Sequence, residues 1–350
     1  MVYAVMRKLS DILGQDGAVG WLRAAHQADR LPHGLIFAGP AGVGKGTTAE
    51  ALAGLFLCEK PKASDACGQC PSCVVFAAGN HPDYHLVYRQ LIRLEHKDRT
   101  AKDLPVEVVR QCLVGPANLK SAMGRGKVFV VEEADMMNAY AQNALLKTLE
   151  EPYGRTLTVL LTDQPGALLS TIQSRCQVVR FAAMESGLVA RELSKRGLDS
   201  ADAADAAVLA EGSLGLAIKW IEDGVVARGR ELRDRVEAML GGQEGADLPD
   251  WFKAASENYA EKQLERDELA SKEQATREGL GVYLRLMSQM FCRRLRQSST
   301  HGQAEVLCGA IEALGRAERY LDSNVNVSLI FQQLAVTLEQ LLAMGGGQRR

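Results

Sequence analysis

At 350 residues the chain exceeds the size at which a single hydrophobic core usually stops growing, so two or three domains are expected. Its 47% hydrophobic and 24% charged residues are those of an ordinary soluble globular protein. The 41 basic and 43 acidic residues leave a net charge of -2, which excludes a whole-molecule attraction for nucleic acid; any DNA contact must come from a local patch or from partners. The opening MVYAVMRKLSD has an apolar run too short for a signal-peptide core, with its charges after that run. No stretch approaches the ~20 apolar residues of a membrane span, so a cytoplasmic protein without membrane contact is expected.

Ser10 to Gln27 carries Val19, Leu22 and Ala25 or His26 at helical spacing, and Arg30-Leu31-Pro32-His33-Gly34 forms the turn after it. The apolar run Leu35 to Ala38 is a short strand. Further strands are expected at Pro82 to Val87, Lys127 to Glu132, Leu157 to Thr162 and Cys176 to Phe181, with a helix over Asn138 to Glu150. Strands alternating with helices, and too apolar to show a wet face, indicate a parallel sheet covered on both sides. Met184 to Gly224 is alanine-rich and helical, broken at Gly197 and Gly212. Gly241 to Pro249 is the clearest linker, and everything beyond it is helical, ending on a face marked by Ile330, Leu334, Leu338, Leu341 and Leu342. The GGGQRR tail is expected to fray.

Gly39 to Thr48, GPAGVGKGTT, sits between the first strand and the helix-forming Ala49 to Ala53. Strand, glycine-rich turn and helix are the context of a phosphate-binding loop. Gly39, Gly44 and Lys45 satisfy G-x-x-x-x-G-K-[ST], and Gly46 then stands where a hydroxyl would ligate Mg²⁺. Gly42 and Gly44 would let backbone N–H groups close around a phosphate, with Lys45 beside the terminal phosphates. A glycine-rich turn with no ligand fits the same residues.

At the end of Lys127 to Glu132, Glu132 takes the place where a metal-holding aspartate is usual, and Glu133 that of the residue polarising the attacking water. The extra methylene of Glu132 displaces its carboxylate, and Mg²⁺ tolerates little departure from octahedral geometry. Gly46 and Glu132 together compromise Mg²⁺ binding, while ATP binding stays open. Very weak or absent ATPase activity is expected. The competing reading is a working ATPase that uses Thr47 or water in place of the hydroxyl.

Four of the eight cysteines, Cys58, Cys67, Cys70 and Cys73, follow C-x8-C-x2-C-x2-C; Cys112, Cys176, Cys292 and Cys308 are scattered. Thiolates at this spacing suit one tetrahedral Zn²⁺, and four of them leave no open position for catalysis, so the zinc would be structural. Free thiols or an iron–sulfur site are the alternatives. Arg175, in Ser174-Arg175-Cys176, is either a solvated surface residue or one that reaches a neighbouring subunit's γ-phosphate.

With these residues together, the chain resembles the delta-prime family of bacterial DNA polymerase III clamp-loader subunits, which are AAA+ proteins. The likeness runs through Ile12-Leu13-Gly14-Gln15, Leu31 to Gly34, the glycine loop, the four cysteines, Asn80-His81-Pro82-Asp83, Asn143 to Pro152 and Leu168 to Cys176. Farther on, Asn324-Val325-Asn326-Val327 is the best local match. The resemblance implies an AAA+ domain over 1–183 with a zinc module at 58–73, a helical lid over 184–241 and an all-α collar over 250–345. It implies that Arg175 acts in trans on the ATP of an adjacent motor subunit. It also implies gamma/tau and delta subunits as partners, with the sliding clamp and primer-template DNA met through the complex. The motor subunits share the zinc pattern and the LLKTLEEP run and are the second reading. The altered metal positions, Asn80 to Asp83 and the lack of a long extension after the collar count against it. Gly212-Ser213-Leu214-Gly215-Leu216-Ala217 also lacks the lid arginine with which AAA+ motors sense nucleotide. Thr162 matches the other sensor position, or is an ordinary strand-end threonine. The charged 88–103 segment, with Arg89, Arg93, Lys97, Arg99 and Lys102, alternates acids and bases and suits a solvated loop better than a DNA-facing patch.

Overall fold

The computed structural model describes residues 7–94, 103–243, 247–267, 269–298, 301–321 and 326–346. Lys97, Arg99, Lys102, Asn324 and Val325 therefore lie outside the described residues. The chain forms two compact units, Met1–Ala217 and Ile218–Arg350.

The first unit is built on a sheet of five strands, all paired in parallel. In chain order it contains α1 (Asp16–Gln27), β1 (Gly34–Ala38), α2 (Lys45–Leu57), α3 (Pro71–Ala77) and β2 (Tyr84–Val87). Next come α4 (Val106–Val109), a π turn at Arg110–Val114, α5 (Gly115–Ala117), β3 (Lys127–Val131), α6 (Ala139–Glu150) and β4 (Thr156–Thr162). It ends with α7 (Ser170–Gln173), β5 (Gln177–Arg180), α8 (Ser186–Lys195), α9 (Ser200–Leu209) and α10 (Leu214–Glu222), within which the unit boundary falls. The strand order is β2-β3-β4-β1-β5.

Alternation along β1 shows why the strands are apolar throughout. Leu35 and Phe37 join one core with Val128, Val130, Val159 and the α2 residues Leu52, Leu55 and Phe56. Ile36 and Ala38 point the other way and join Phe129, Val131, Leu145, Leu149 and Ile172. Successive side chains of a strand face opposite sides, so a sheet buried on both faces needs apolar residues at every position. Helix α2 is buried on most of its circumference, as its run of alanines and leucines requires.

The C-terminal carbonyls of α2 are closed by side chains from distant segments. Arg155 donates to Phe56 O at 2.7 Å, Ser72 to Leu57 O at 2.8 Å and Arg125 to Cys58 O at 3.1 Å. Orphan carbonyls at a helix end are costly to bury unpaired, and this set fixes the far end of the helix that begins at the glycine loop.

The second unit is helical: α11 (Val225–Leu240), α12 (Leu248–Arg266), α13 (Lys272–Gln297), α14 (His301–Leu321) and α15 (Val327–Gly346). Each of α12 to α14 packs on its successor, and α15 returns to α12, bringing Phe331 within 4.6 Å of Phe252, ring centre to centre. Pro249 of the expected linker lies in the first turn of α12, where its missing N–H costs no helical hydrogen bond. Ile330, Leu334 and Leu338 are buried, as the face marked in sequence requires. No described helix is long and apolar enough to cross a membrane.

Candidate nucleotide and metal sites

The glycine loop leaves β1 at Ala38 and enters α2 at Lys45. Gly42 and Gly44 adopt φ of 70° and 104°, a left-handed backbone that L side chains resist. Lys45 folds back on its own loop, donating to Gly39 O at 2.5 Å and Pro40 O at 2.7 Å. Burial lowers its pKa, while Asp163 and Asp135 act in the opposite direction. The start of α10 closes on the loop: Gly215 N–H donates to Gly42 O at 3.1 Å, and a Cβ at Gly42 would stand 2.4 Å from Ser213 Oγ.

Neither nearby threonine fills the place of the hydroxyl missing at Gly46. Thr48 turns its hydroxyl back to Gly44 O at 2.7 Å, and Thr47 accepts from Arg7 at 3.3 Å. The acidic strand end is engaged as well. Glu132 is the first residue past β3, where its N–H donates to Val87 O. Glu133 follows in left-handed backbone, φ 48°, with its carboxylate 2.9 Å from the guanidinium of Arg89. The Thr162 hydroxyl, buried at the end of β4, donates to Asp135 at 2.7 Å and accepts from Gln164 N–H at 3.0 Å.

The pairs of Glu133 with Arg89, Asp135 with Thr162 and Arg7 with Thr47 were missed in the sequence because each joins residues far apart in the chain. Only Gln15 carried a signal, as part of Ile12 to Gln15. It is buried, and its amide bonds Val43 O of the loop and both Ala182 O and Ala182 N–H beyond β5.

Arg175 lies elsewhere. The pairing of Leu35 with Gln177 places it before the start of β5, at the edge where strands begin. Its carbonyl lies beside Gly34, the first residue of β1, whereas Gly39 follows the opposite end of that five-residue strand, about 17 Å farther at strand rise. The fold separates Arg175 from the glycine loop of its own chain.

Cys58, Cys67, Cys70 and Cys73 converge, with all four Sγ atoms within 4.8 Å of one another. Cys58 caps the end of α2 and Cys70 the start of α3. The Cys67 and Cys73 sulfurs stand 3.8 Å apart, which matches the about 3.8 Å edge of a tetrahedron with Zn–S bonds near 2.3 Å. Backbone N–H groups point at the sulfurs: Cys67 N to Cys58 at 3.3 Å and Cys70 N to Cys67 at 3.4 Å. The N–H of Gln69, foremost, brings the Cys67 thiol down to about 6, whereas burial pushes Cys58 and Cys73 up. The donor set fits a soft, four-coordinate cation, and these four cysteines could hold a metal ion.

A parallel sheet of this order, a glycine loop before a buried helix and an acidic end on β3 define a P-loop protein of the AAA+ class. A sequence profile described as "DNA polymerase III, delta subunit" matches residues 14–185. A DNA polymerase III subunit delta' of Pseudomonas aeruginosa is 32% identical over 331 residues, covering 89% of this chain and 93% of that protein. The subunit delta' of Escherichia coli is 34% identical over 57% of this chain and 59% of its own length. The subunit tau of Escherichia coli is 30% identical over 66% and 35%. The chain belongs to the DNA polymerase III delta-prime family, within the delta-prime/tau/gamma group of clamp-loader subunits.

Proposed function

We propose that this chain is a non-motor, stator-like subunit of the clamp loader, which helps place the sliding clamp on primed DNA in the cytoplasm and supplies Arg175 in trans to a neighbouring ATPase subunit. The observation that carries this is the placement of Arg175 beside Gly34, where β1 begins, at the end of the sheet opposite the one from which the glycine loop leaves the same strand. A finger on that edge can serve only a phosphate held by another chain. The loop supports the same reading: Gly46 offers no hydroxyl, Lys45 is satisfied by Gly39 and Pro40 carbonyls, and Glu133 is paired with Arg89.

In this reading 1–183 is the AAA+ domain with its zinc module at 58–73, 184–241 the lid and 250–345 the collar that assembles with gamma/tau and delta. Zn²⁺ is structural, and Gly39, Gly42, Gly44, Lys45, Thr47, Glu132, Glu133 and Thr162 form a degenerate ATP site with impaired Mg²⁺ binding. The sliding clamp and primer-template DNA are met through the complex.

Arg175→Ala in the reconstituted complex tests the finger. ATP hydrolysis is expected to fall by about 10³-fold at the site it serves, in line with arginine fingers elsewhere; an unchanged rate excludes the trans assignment. The second reading, an active gamma/tau-like ATPase, is favoured by the likeness to tau. Turnover near one per second, on the order of ordinary enzyme rates, by the purified chain would establish it instead.

A further inference from the structure

Arg175 is held on two sides by its own chain. Its NH1 donates to Thr171 O at 2.9 Å and to Ser174 Oγ at 3.3 Å, and its NH2 lies 2.5 Å from Glu150 Oε1. A guanidinium has five N–H donors, so these contacts leave two for a further acceptor. The Arg175 side chain is 34% exposed, enough for such an acceptor to reach it.

Glu150 is the last residue of α6, at the negative end of the helix, where a carboxylate is unfavourable without a cation beside it. The end of α6 is itself fixed. Leu149 O accepts from His33 Nε2 at 2.7 Å, and Leu149 is buried in the core. The backbone of Arg175 is seated equally closely, since a Cβ at Gly34 would stand 3.2 Å from Arg175 O and 2.9 Å from Cys176 Sγ. Both partners of the ion pair therefore rise from fixed backbone, so the pair sets the direction of the guanidinium.

We propose that Glu150 is the positioning residue for Arg175: it holds the guanidinium in one orientation, so that its two remaining donors meet the terminal phosphate of a nucleoside triphosphate carried by the neighbouring subunit. The inference rests on the trans reading of Arg175 above. An arginine ordered before the phosphate arrives loses less freedom on engagement, and its donors act as a fixed electrostatic element. A carboxylate beside the cation also weakens its positive charge. Positioning and competition thus predict opposite signs when Glu150 is removed.

The test is steady-state ATP hydrolysis by the reconstituted complex, with assembly checked by gel filtration. Glu150→Ala is expected to lower kcat by about tenfold to a hundredfold with KM for ATP unchanged, as for misplacement of a catalytic group. Glu150→Gln keeps an acceptor oxygen and is expected to stay within about threefold of the unaltered complex. In the Arg175→Ala background Glu150→Ala should cost nothing further, whereas a structural defect would add to it. A rate equal to or above that of the unaltered complex for Glu150→Ala, with Arg175→Ala slow, overturns the positioning and leaves the trans reading standing. A silent Arg175→Ala overturns both. Loss of rate together with loss of assembly in both Glu150 variants assigns Glu150 a structural part and overturns the proposal.

Discussion

The carboxylate of Glu133 lies 2.9 Å from the guanidinium of Arg89, across the ends of β3 and β2. The residue in the position of the water-polarising base is thus joined to a cation from the turn that follows the neighbouring strand. Glu133 is half exposed, so water screens the ion pair itself to about 0–1 kcal/mol, while the Arg89 side chain is mostly buried and contributes its packing as well. Arg89→Ala is accordingly expected to lower the urea midpoint with m unchanged, through the lost packing of the arginine stem as well as the lost pair. It should not raise ATP turnover by the purified chain, because Gly46 still lacks a hydroxyl. A turnover that appears on this change alone would identify the pair as a lock on an otherwise working site.

Gly46 is exposed near the start of α2, and a Cβ there would meet only Leu161 Cδ1, at 3.8 Å, an ordinary contact. Gly46→Ala should therefore stabilise the first unit by about 0.5–1 kcal/mol through helix propensity, read as a raised urea midpoint. Gly46→Thr adds the hydroxyl suited to a Mg²⁺ ligand. ATP titrations by calorimetry, with and without Mg²⁺, are expected to show a metal-dependent gain in affinity for this variant and none for Gly46→Ala. Equal Mg²⁺ dependence in both would place the defect elsewhere, Glu132 being the next candidate.

The parallel sheet was legible because β1, β3 and β4 are apolar on both faces, and the loop because its glycines need left-handed backbone. Strand limits moved by a residue or two: Glu132 lies past β3, and Thr156 begins β4. The short helix Pro71–Ala77 and the segment from Val106 through the π turn to Ala117 were not anticipated. Both are too short for a helical period to stand out. Expecting a solvated loop from Arg89 onward failed at Arg89 itself, whose side chain is only 13% exposed beside Glu133. Charge alternation marks a wet face on average, but it carries no information on which strand end a given arginine meets. The pairs Glu150 with Arg175 and Asp135 with Thr162 were hidden for the same reason, since tertiary contacts between distant residues leave no local pattern.

The four cysteines give a metal prediction that is independent of nucleotide. Purified chain is expected to carry stoichiometric zinc, and Cys67→Ser to weaken zinc affinity by at least about a hundredfold, more than loss of an outer-shell partner usually costs. Chelation should lower the thermal midpoint, since metal binding free energy adds to the stability of the fold that binds it. Metal analysis that finds no zinc, or a midpoint indifferent to chelator, would leave the four thiols as mere neighbours.

His81 gives the pH dependence a definite sign. Its Nδ1 accepts from Asp83 N–H at 3.1 Å, so Nε2 carries the proton and donates to Ser72 Oγ at 3.0 Å. The Ser72 hydroxyl passes the chain on to Leu57 O, at the end of α2. Protonating the ring would remove the acceptor that Asp83 N–H needs, in a side chain only 5% exposed. Burial lowers the His81 pKa, with Asp83 opposing, so the folded value lies below the roughly 6.5 of an unfolded histidine. Between those two values the unfolded chain binds more protons. The contribution is thus fully present above about 6.5 and lost as pH falls through the folded value. The ring proton resonances of His81 are expected to titrate below 6.5 in the folded protein. Ser72→Ala, which removes the link to Leu57, should cost about 1–3 kcal/mol, the usual penalty for leaving a buried partner unsatisfied. A His81 that titrates at the unfolded value would contribute no pH dependence, and one that titrates above it would mean that the fold favours the charged ring and would reverse the sign of its contribution.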